Sequence, residues 1–333
     1  SDLYSFRTNK KEEIVINKRV VRLTTASDTK MFDTLPLVNA AWDEDGDSEG
    51  FVDGQGFATS GATGTITNVG SVENGFAYTL SGVTKAENYT VEVTKGQLTI
   101  TPSDGLTVDA SDVTRKYDGS PYGVSASANV GSGTTIYYSE TYSANPADYT
   151  LTGSPTATHV DESRTVYFVA VNANYAPAFG SAEVTITPRN VAIHTFGATK
   201  VYDGTPLTAA GWSIDGASDG FAGSEGFATS ATTGTITNVG AADNGFAYTL
   251  KSDTRSGDYS IDVIPGTLTV SLRTVLVSAL DARKNYGEPD PAFAYTVNTG
   301  TVGGTTYYPI LAADLAGVTV TVSRTGGDSA VGL

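Results

Sequence analysis

The chain has 333 residues, no cysteine, two histidines and a net charge of −16. So acidic a surface repels phosphate backbones and anionic lipid headgroups, which sets aside nucleic acid and membrane surfaces as partners. Without cysteine there are no disulfides, thiolate metal sites or Cys nucleophiles, and His159 and His194 leave little material for a zinc site or a Ser-His-Asp triad.

No apolar run approaches the ~20 residues of a spanning helix, so no membrane insertion is expected in this chain. An apolar content of 39% with 37 glycines suits several small β-domains rather than one large core.

In chain order, Glu13–Val21 (EIVINKRVV) aligns with Glu183–Val191 (EVTITPRNV), so residues 1–18 read as the tail strand of a preceding, truncated repeat. Residues 19–102 form a first repeat. It contains Phe32-Asp33-Thr34, Trp42, an acidic loop to Phe51, GFATS at Gly56–Ser60, TGTITNVG at Thr63–Gly70 and NGFAYTL at Asn74–Leu80. Residues 103–188 form a divergent second repeat, opened by RKYDGSP at Arg115–Pro121 and closed by NYAPAFGSAEVTITP at Asn174–Pro188.

Residues 189–272 copy the first repeat: Lys30–Ile100 aligns without a gap on Lys200–Val270, and Trp42 meets Trp212. Residues 273–333 begin a fourth repeat, with RKNYGEPDP at Arg283–Pro291, that stops before any closing segment. The motif lysines Lys30, Lys116, Lys200 and Lys284 lie 86, 84 and 84 residues apart, the spacing of small domains in tandem.

Within a repeat the pattern is that of strands. Phe246, Tyr248 and Leu250 alternate with Ala247 and Thr249, and Tyr259, Ile261 and Val263 alternate again. Turn residues recur every ~6–12 positions and no window has helical periodicity. The predicted fold is all-β: tandem immunoglobulin-like antiparallel β-sandwich repeats, with a small barrel or β-grasp-like arrangement as the alternative. Joints are short, since only a few residues separate Ile186–Pro188 from the strand at Val191. Four domains of ~30–40 Å in line predict an elongated rod of very roughly 120–160 Å.

The YDG triplet at Tyr117–Gly119 and Tyr202–Gly204 admits two readings. As chemistry, Asp203 would be a base and Tyr202 an acid. The first repeat has Phe32-Asp33-Thr34 there and the fourth Tyr286-Gly287-Glu288. An acid–base pair does not survive those changes, whereas a buried ring beside a turn does. The triplet is therefore expected to be a structural corner, with the aspartate capping the turn and glycine supplying positive φ.

The K-x-Y-D-G-T/S-P opening, the Asn-Tyr segment and the closing I-T-P resemble the YDG/MBG-type repeats of large bacterial cell-surface adhesins. KNYGEPDPAFAYTV at Lys284–Val297 and SRTGGDSAVG at Ser323–Gly332 resemble the YGX variety of that group. The resemblance implies a secreted, envelope- or cell-wall-attached chain of many β-domains with no catalytic residues.

Four features are candidates for ligand chemistry. Asp43, Asp45 and Asp47 alternate like the start of a calcium loop, but the copy at Trp212–Phe221 keeps only Asp215. Trp42 and Trp212 are candidate sugar-stacking or interface anchors, set against packing in the core. Tyr137 and Tyr138 must face opposite ways in a strand, which offers one of them to solvent. Lys30, Lys116 and Lys200 recur with Asn88 and Asn174, as a Lys–Asn isopeptide cross-link requires, but Asp258 breaks the series.

The sequence thus points to a non-catalytic stalk or adhesion segment of an extracellular bacterial surface protein. The alternative is a module that itself binds host glycan, mucin or extracellular-matrix protein. An accessory domain of a secreted enzyme comes third.

Overall fold

The computed structural model describes Tyr4 and residues 13–327. Of the tail expected over residues 1–18, Ser1–Leu3 and Ser5–Glu12 lie outside the described residues, as does Asp328–Gly332 of the final motif. Ile14, Val15 and Ile16 belong to no strand and are exposed.

The first repeat has strands Arg19–Thr25 (β1), Asp28–Met31 (β2), Trp42–Glu44 (β3), Phe57–Ala62 (β4), Gly70–Asn74 (β5), Phe76–Leu80 (β6), Tyr89–Thr94 (β7) and Gly96–Thr101 (β8). β1 pairs with β7 in parallel, from Arg19 opposite Tyr89 to Thr24 opposite Thr94. After a bend, β2 and β8 continue the same register, from Asp28 opposite Leu98 to Met31 opposite Thr101. β3 joins β1 antiparallel, β5 joins β8 antiparallel, and β4 and β6 form a separate antiparallel pair. Alternation points Val21, Leu23, Leu98 and Ile100 into the core, where all four are fully buried.

The fold is all-β and made of tandem sandwich repeats, as expected. The pairing is mixed rather than purely antiparallel, because the partner of a repeat's first strand is its last. Alternation in a sequence reports a strand's buried face, not the direction of its neighbour.

A buried asparagine holds the bend. Asn74, 0% exposed, donates from Nδ2 to the carbonyls of Ala26 and Asn39 and accepts the Gly64 N–H at Oδ1. Beside it the Thr25 hydroxyl donates to Asn74 O at 2.6 Å and accepts Gly96 N–H at 2.9 Å. A Cβ on Gly96 would sit 2.4 Å from Thr25 O, so only glycine fits.

The second repeat has strands Val108–Asp109 (β9), Val113–Lys116 (β10), Ser127–Ala128 (β11), Thr134–Ser139 (β12), Arg164–Asn172 (β13) and Ala178–Thr187 (β14). Its main sheet runs β10-β14-β13-β12. Here one unbroken strand, β14, replaces the bent pair β7–β8. Val166, opposite Ala182, takes the place that Asn74 holds opposite Gly96, and two steps along a Cβ on Gly180 would meet the Phe168 ring at 2.3 Å. The polar hub is exchanged for a buried aliphatic pair.

The third repeat restores the first pattern with Arg189–Thr195 (β15), Ala198–Val201 (β16), Trp212–Ile214 (β17), Phe227–Thr232 (β18), Gly240–Asn244 (β19), Phe246–Leu250 (β20), Tyr259–Ile264 (β21) and Gly266–Ser271 (β22). Asn244 repeats the hub, donating to Phe196 O and Ala209 O. Leu276–Ala279 (β23) pairs with Tyr295–Asn298 (β24), and Gly300–Val302 (β25) with Thr305–Tyr307 (β26).

The chain divides into two compact units. Among the described residues, one holds those up to Val113 with Tyr122–Thr156 and Arg164–Val184; the other holds Thr114–Pro121, Ala157–Ser163 and those from Thr185 onward. Among the described residues no helix is long and apolar enough to cross a membrane.

Candidate functional site

The recurring motifs converge on the joints between repeats, and the YDG corner is the first component. Asp33, Asp118 and Asp203 each accept the N–H two residues on, from Leu35, Ser120 and Thr205. The next residue takes positive φ: Thr34 at 71°, Gly119 at 81° and Gly204 at 78°. Lys30 and Lys200 clamp the turn, each with Nζ 2.6 Å from the aspartate. Those hydrogen bonds hold the Asp33 and Asp203 carboxyls below the ordinary carboxylate range. Asp203 is thus committed to Lys200 and the turn, while the Tyr202 hydroxyl points elsewhere, to Asp314 Oδ1 at 3.2 Å.

The aromatic of the triplet closes its own repeat through the backbone. Phe32, Tyr117 and Tyr202 each donate their N–H to the last ladder carbonyl, of Thr101, Thr187 and Ser271. Their rings then meet the following repeat. Within the first unit, Phe32 packs edge-on to Tyr175 at 5.4 Å. The neighbouring Asn174 accepts the Val69 N–H at 2.9 Å and donates to the Asn68 side chain at 3.1 Å.

Within the second unit the same joint is rebuilt with charge. Tyr117, 2% exposed, packs edge-on to Tyr259 at 5.5 Å. Asp258 stands where Asn174 stood: it accepts the Val160 N–H at 2.9 Å, and its Oδ2 lies 2.6 Å from His159 Nδ1. The imidazole stacks on Tyr117, while Glu162 accepts the N–H groups of Thr158 and His159. Glu225 takes the hydroxyls of Tyr117 and Tyr259 on its two oxygens, each at 2.5 Å. Burial, and then Glu225, pushes both phenols above the ordinary tyrosine range. Lys116 pairs with Asp219 at 2.8 Å, and Arg189 donates to the carbonyls of Tyr117, Asp219 and Gly220.

A third joint shares only part of this plan. Arg273 repeats the role of Arg189 by donating to Tyr202 O at 3.1 Å. Beside it lies an apolar pocket of about 310 Å³ lined by Tyr202, Val239, Leu272, Val277, Ile310 and Leu311 among others.

The candidates singled out in the sequence are scattered. Trp42 is half-buried and packs edge-on against Phe57 and Phe76; Trp212 does the same against Phe227 and Phe246. Tyr138 is buried and its hydroxyl accepts Ala126 N–H, while Tyr137 is half-buried. Asp45 accepts the Thr24 hydroxyl, Asp47 pairs with Arg22, and Asp43 is exposed. Among the described residues no three acidic or histidine side chains gather as a metal site would need, so Asp43, Asp45 and Asp47 share no cage. Lys30 and Lys200 face aspartates rather than asparagines, and Lys116 faces Asp219.

Both histidines, which offered no partner in the sequence, have one: Asp258 for His159 and Asp215, at 3.2 Å, for His194. The signal that was present is the change from Asn174 to Asp258 in the copy that faces a histidine.

No known protein family and no curated protein matches the chain. Among solved structures it is similar to strings of immunoglobulin domains. The four N-terminal domains of Dscam1 isoform 9.44 match at 14% identity and a TM-score of 0.20, over 62% of this chain and 57% of that one. The insect immune protein hemolin matches at 12% and 0.22, over 74% of each chain. A three-domain immunoglobulin fragment of titin matches at 10% and 0.22, over 78% and 97%. Similarity this loose carries no argument about ligands or partners.

Proposed function

We propose that this chain is a non-catalytic spacer segment of an extracellular bacterial surface protein of the YDG/MBG-repeat type. Its tandem β-domains hold an adhesive part of the larger protein away from the cell. The observation that carries the reading is the joint. The titratable residues Tyr117, His159, Asp258 and Glu225 are spent on one another where successive repeats meet. The equivalent residues Phe32, Asn68 and Asn174 do the same one joint earlier without any titratable group. A feature that keeps its geometry while losing its acid and base serves packing.

Small-angle X-ray scattering of the whole chain tests this. A spacer of four domains in line requires a radius of gyration of about 40 Å, the value for a thin rod of the length estimated from strand geometry. A compact globule of this length would give about 20 Å, and that result would overturn the reading.

A further inference from the structure

The second repeat carries a cleft lined by three aromatic rings. The β13–β14 ladder sets Tyr167 opposite Ser181 and Phe179 opposite Val169, which puts the two rings on one face of the sheet. Val93 and Val263 hold the position of Phe179 in the first and third repeats. A valine has thus become an aromatic ring that is 37% exposed.

A third ring is held above them. Tyr142 is 66% exposed, with its ring centre 5.9 Å from that of Tyr167. Its loop is tied on both sides. Ser139 Oγ accepts Thr141 N–H, Tyr149 OH accepts Ser143 N–H and donates to Ser143 O, and Ser143 Oγ accepts Asn145 N–H. A large aromatic kept rigid and exposed loses little entropy on meeting a ligand. Tyr142, Tyr167, Phe179, Gly180 and Ser181 line an open cleft of about 170 Å³. Ser139 and Ser181 flank Tyr167 across the ladder and put hydroxyls beside the rings.

We infer that this cleft binds a neutral hexopyranose residue of a glycan, whose C–H face stacks on the rings and whose hydroxyls meet Ser139, Ser181 and the tyrosine hydroxyls. A flat amphipathic ligand fits a surface that alternates rings with hydroxyls. An extended peptide adding to the sheet does not fit, because the outer edge of β12 is already bridged by Leu151 at Tyr138. A chain of net charge −16 disfavours sialylated or sulfated sugars. The inference is independent of the spacer reading, since one repeat of a spacer can carry a site.

The test is saturation-transfer NMR and calorimetry on the whole chain with N-acetyllactosamine, maltotriose, cellotriose and mannotriose, and with sialyllactose as the charged comparison. The expected result is saturable binding of at least one neutral sugar. Tyr142→Ala should weaken it about tenfold or more, as the loss of one stacked ring implies, while Tyr142→Phe retains most of it. Tyr78→Ala in the first repeat should leave it unchanged. Should Phe179→Ala unfold the repeat through lost packing on Tyr149, the surface change Tyr142→Ala still decides. Silence for all four neutral sugars, binding indifferent to Tyr142→Ala, or tighter binding of sialyllactose would overturn the assignment.

Discussion

Asn174 and Asp258 occupy the same corner of successive joints, each accepting a valine N–H at 2.9 Å, from Val69 and Val160. The acceptor is shared and the charge is not. Asp258→Asn should therefore keep the Val160 bond and cost within about 1 kcal/mol. Asp258→Ala strands a buried N–H and the His159 ring nitrogen and should cost about 2–3 kcal/mol. Urea unfolding of the two variants measures the difference, and equal losses would show that the hydrogen bond is not what holds the corner.

The same joint should weaken in alkali. Tyr117 and Tyr259 are held above the ordinary tyrosine range, so the folded chain favours their neutral hydroxyls. That contribution is whole below about pH 10, the unfolded value, and is lost as the pH climbs through the folded ones. Unfolding free energy measured stepwise above pH 9, alongside phenolate absorbance, should fall, and Glu225→Gln should make the fall shallower. An unchanged slope in Glu225→Gln would mean that Glu225 does not set these phenols.

Thr34 bears a strain that its counterparts avoid. Its φ of 71° is the single positive value at a non-glycine among the described residues, where Gly119 and Gly204 sit in the other copies. Thr34→Gly should stabilise the first repeat by roughly 1 kcal/mol, seen as a rise of a few degrees in its melting transition. Gly204→Thr should do the reverse.

The buried asparagines are the most sensitive positions we identify. Asn74→Ala leaves the carbonyls of Ala26 and Asn39 and the Gly64 N–H without partners, at a cost of about 3 kcal/mol or more, and Asn244→Ala should match it. Asn74→Asp fares no better, because a carboxylate would face two carbonyls. Chemical denaturation of each variant reads the cost repeat by repeat.

The strands, the repeat period and the YDG corner were legible because each rests on local rules: alternation, glycine at positive φ, an aspartate two residues from the N–H it caps. The parallel pairing was not, since nothing in Arg19–Thr25 says that its neighbour lies at Tyr89–Thr94. Asn74 stood in a repeated string, but its three hydrogen bonds reach residues up to 48 positions away. The Trp42 and Trp212 assignments to packing were legible only as a preference, because exposure depends on whether Phe57 and Phe227 close over them. His159 needed a partner from 99 positions further on, which spacing does not reveal. The cleft at Tyr142, Tyr167 and Phe179 was hidden because its rings come from three separate segments, whereas Tyr137 and Tyr138 drew attention by being adjacent.

The parallel pairing of first and last strands fixes how a repeat would meet a pull on its two ends. In the first repeat the incoming chain enters at Arg19 and the outgoing chain leaves at Thr101, at opposite ends of one ladder that runs from Arg19–Tyr89 to Met31–Thr101. Tension along the chain would therefore slide the two strands past each other and load their hydrogen bonds together. An antiparallel terminal pair would instead peel open one bond at a time. The third repeat has the same arrangement, from Arg189–Tyr259 to Val201–Ser271. Resistance to rupture is thereby written into strand direction, independently of how stable each repeat is at rest.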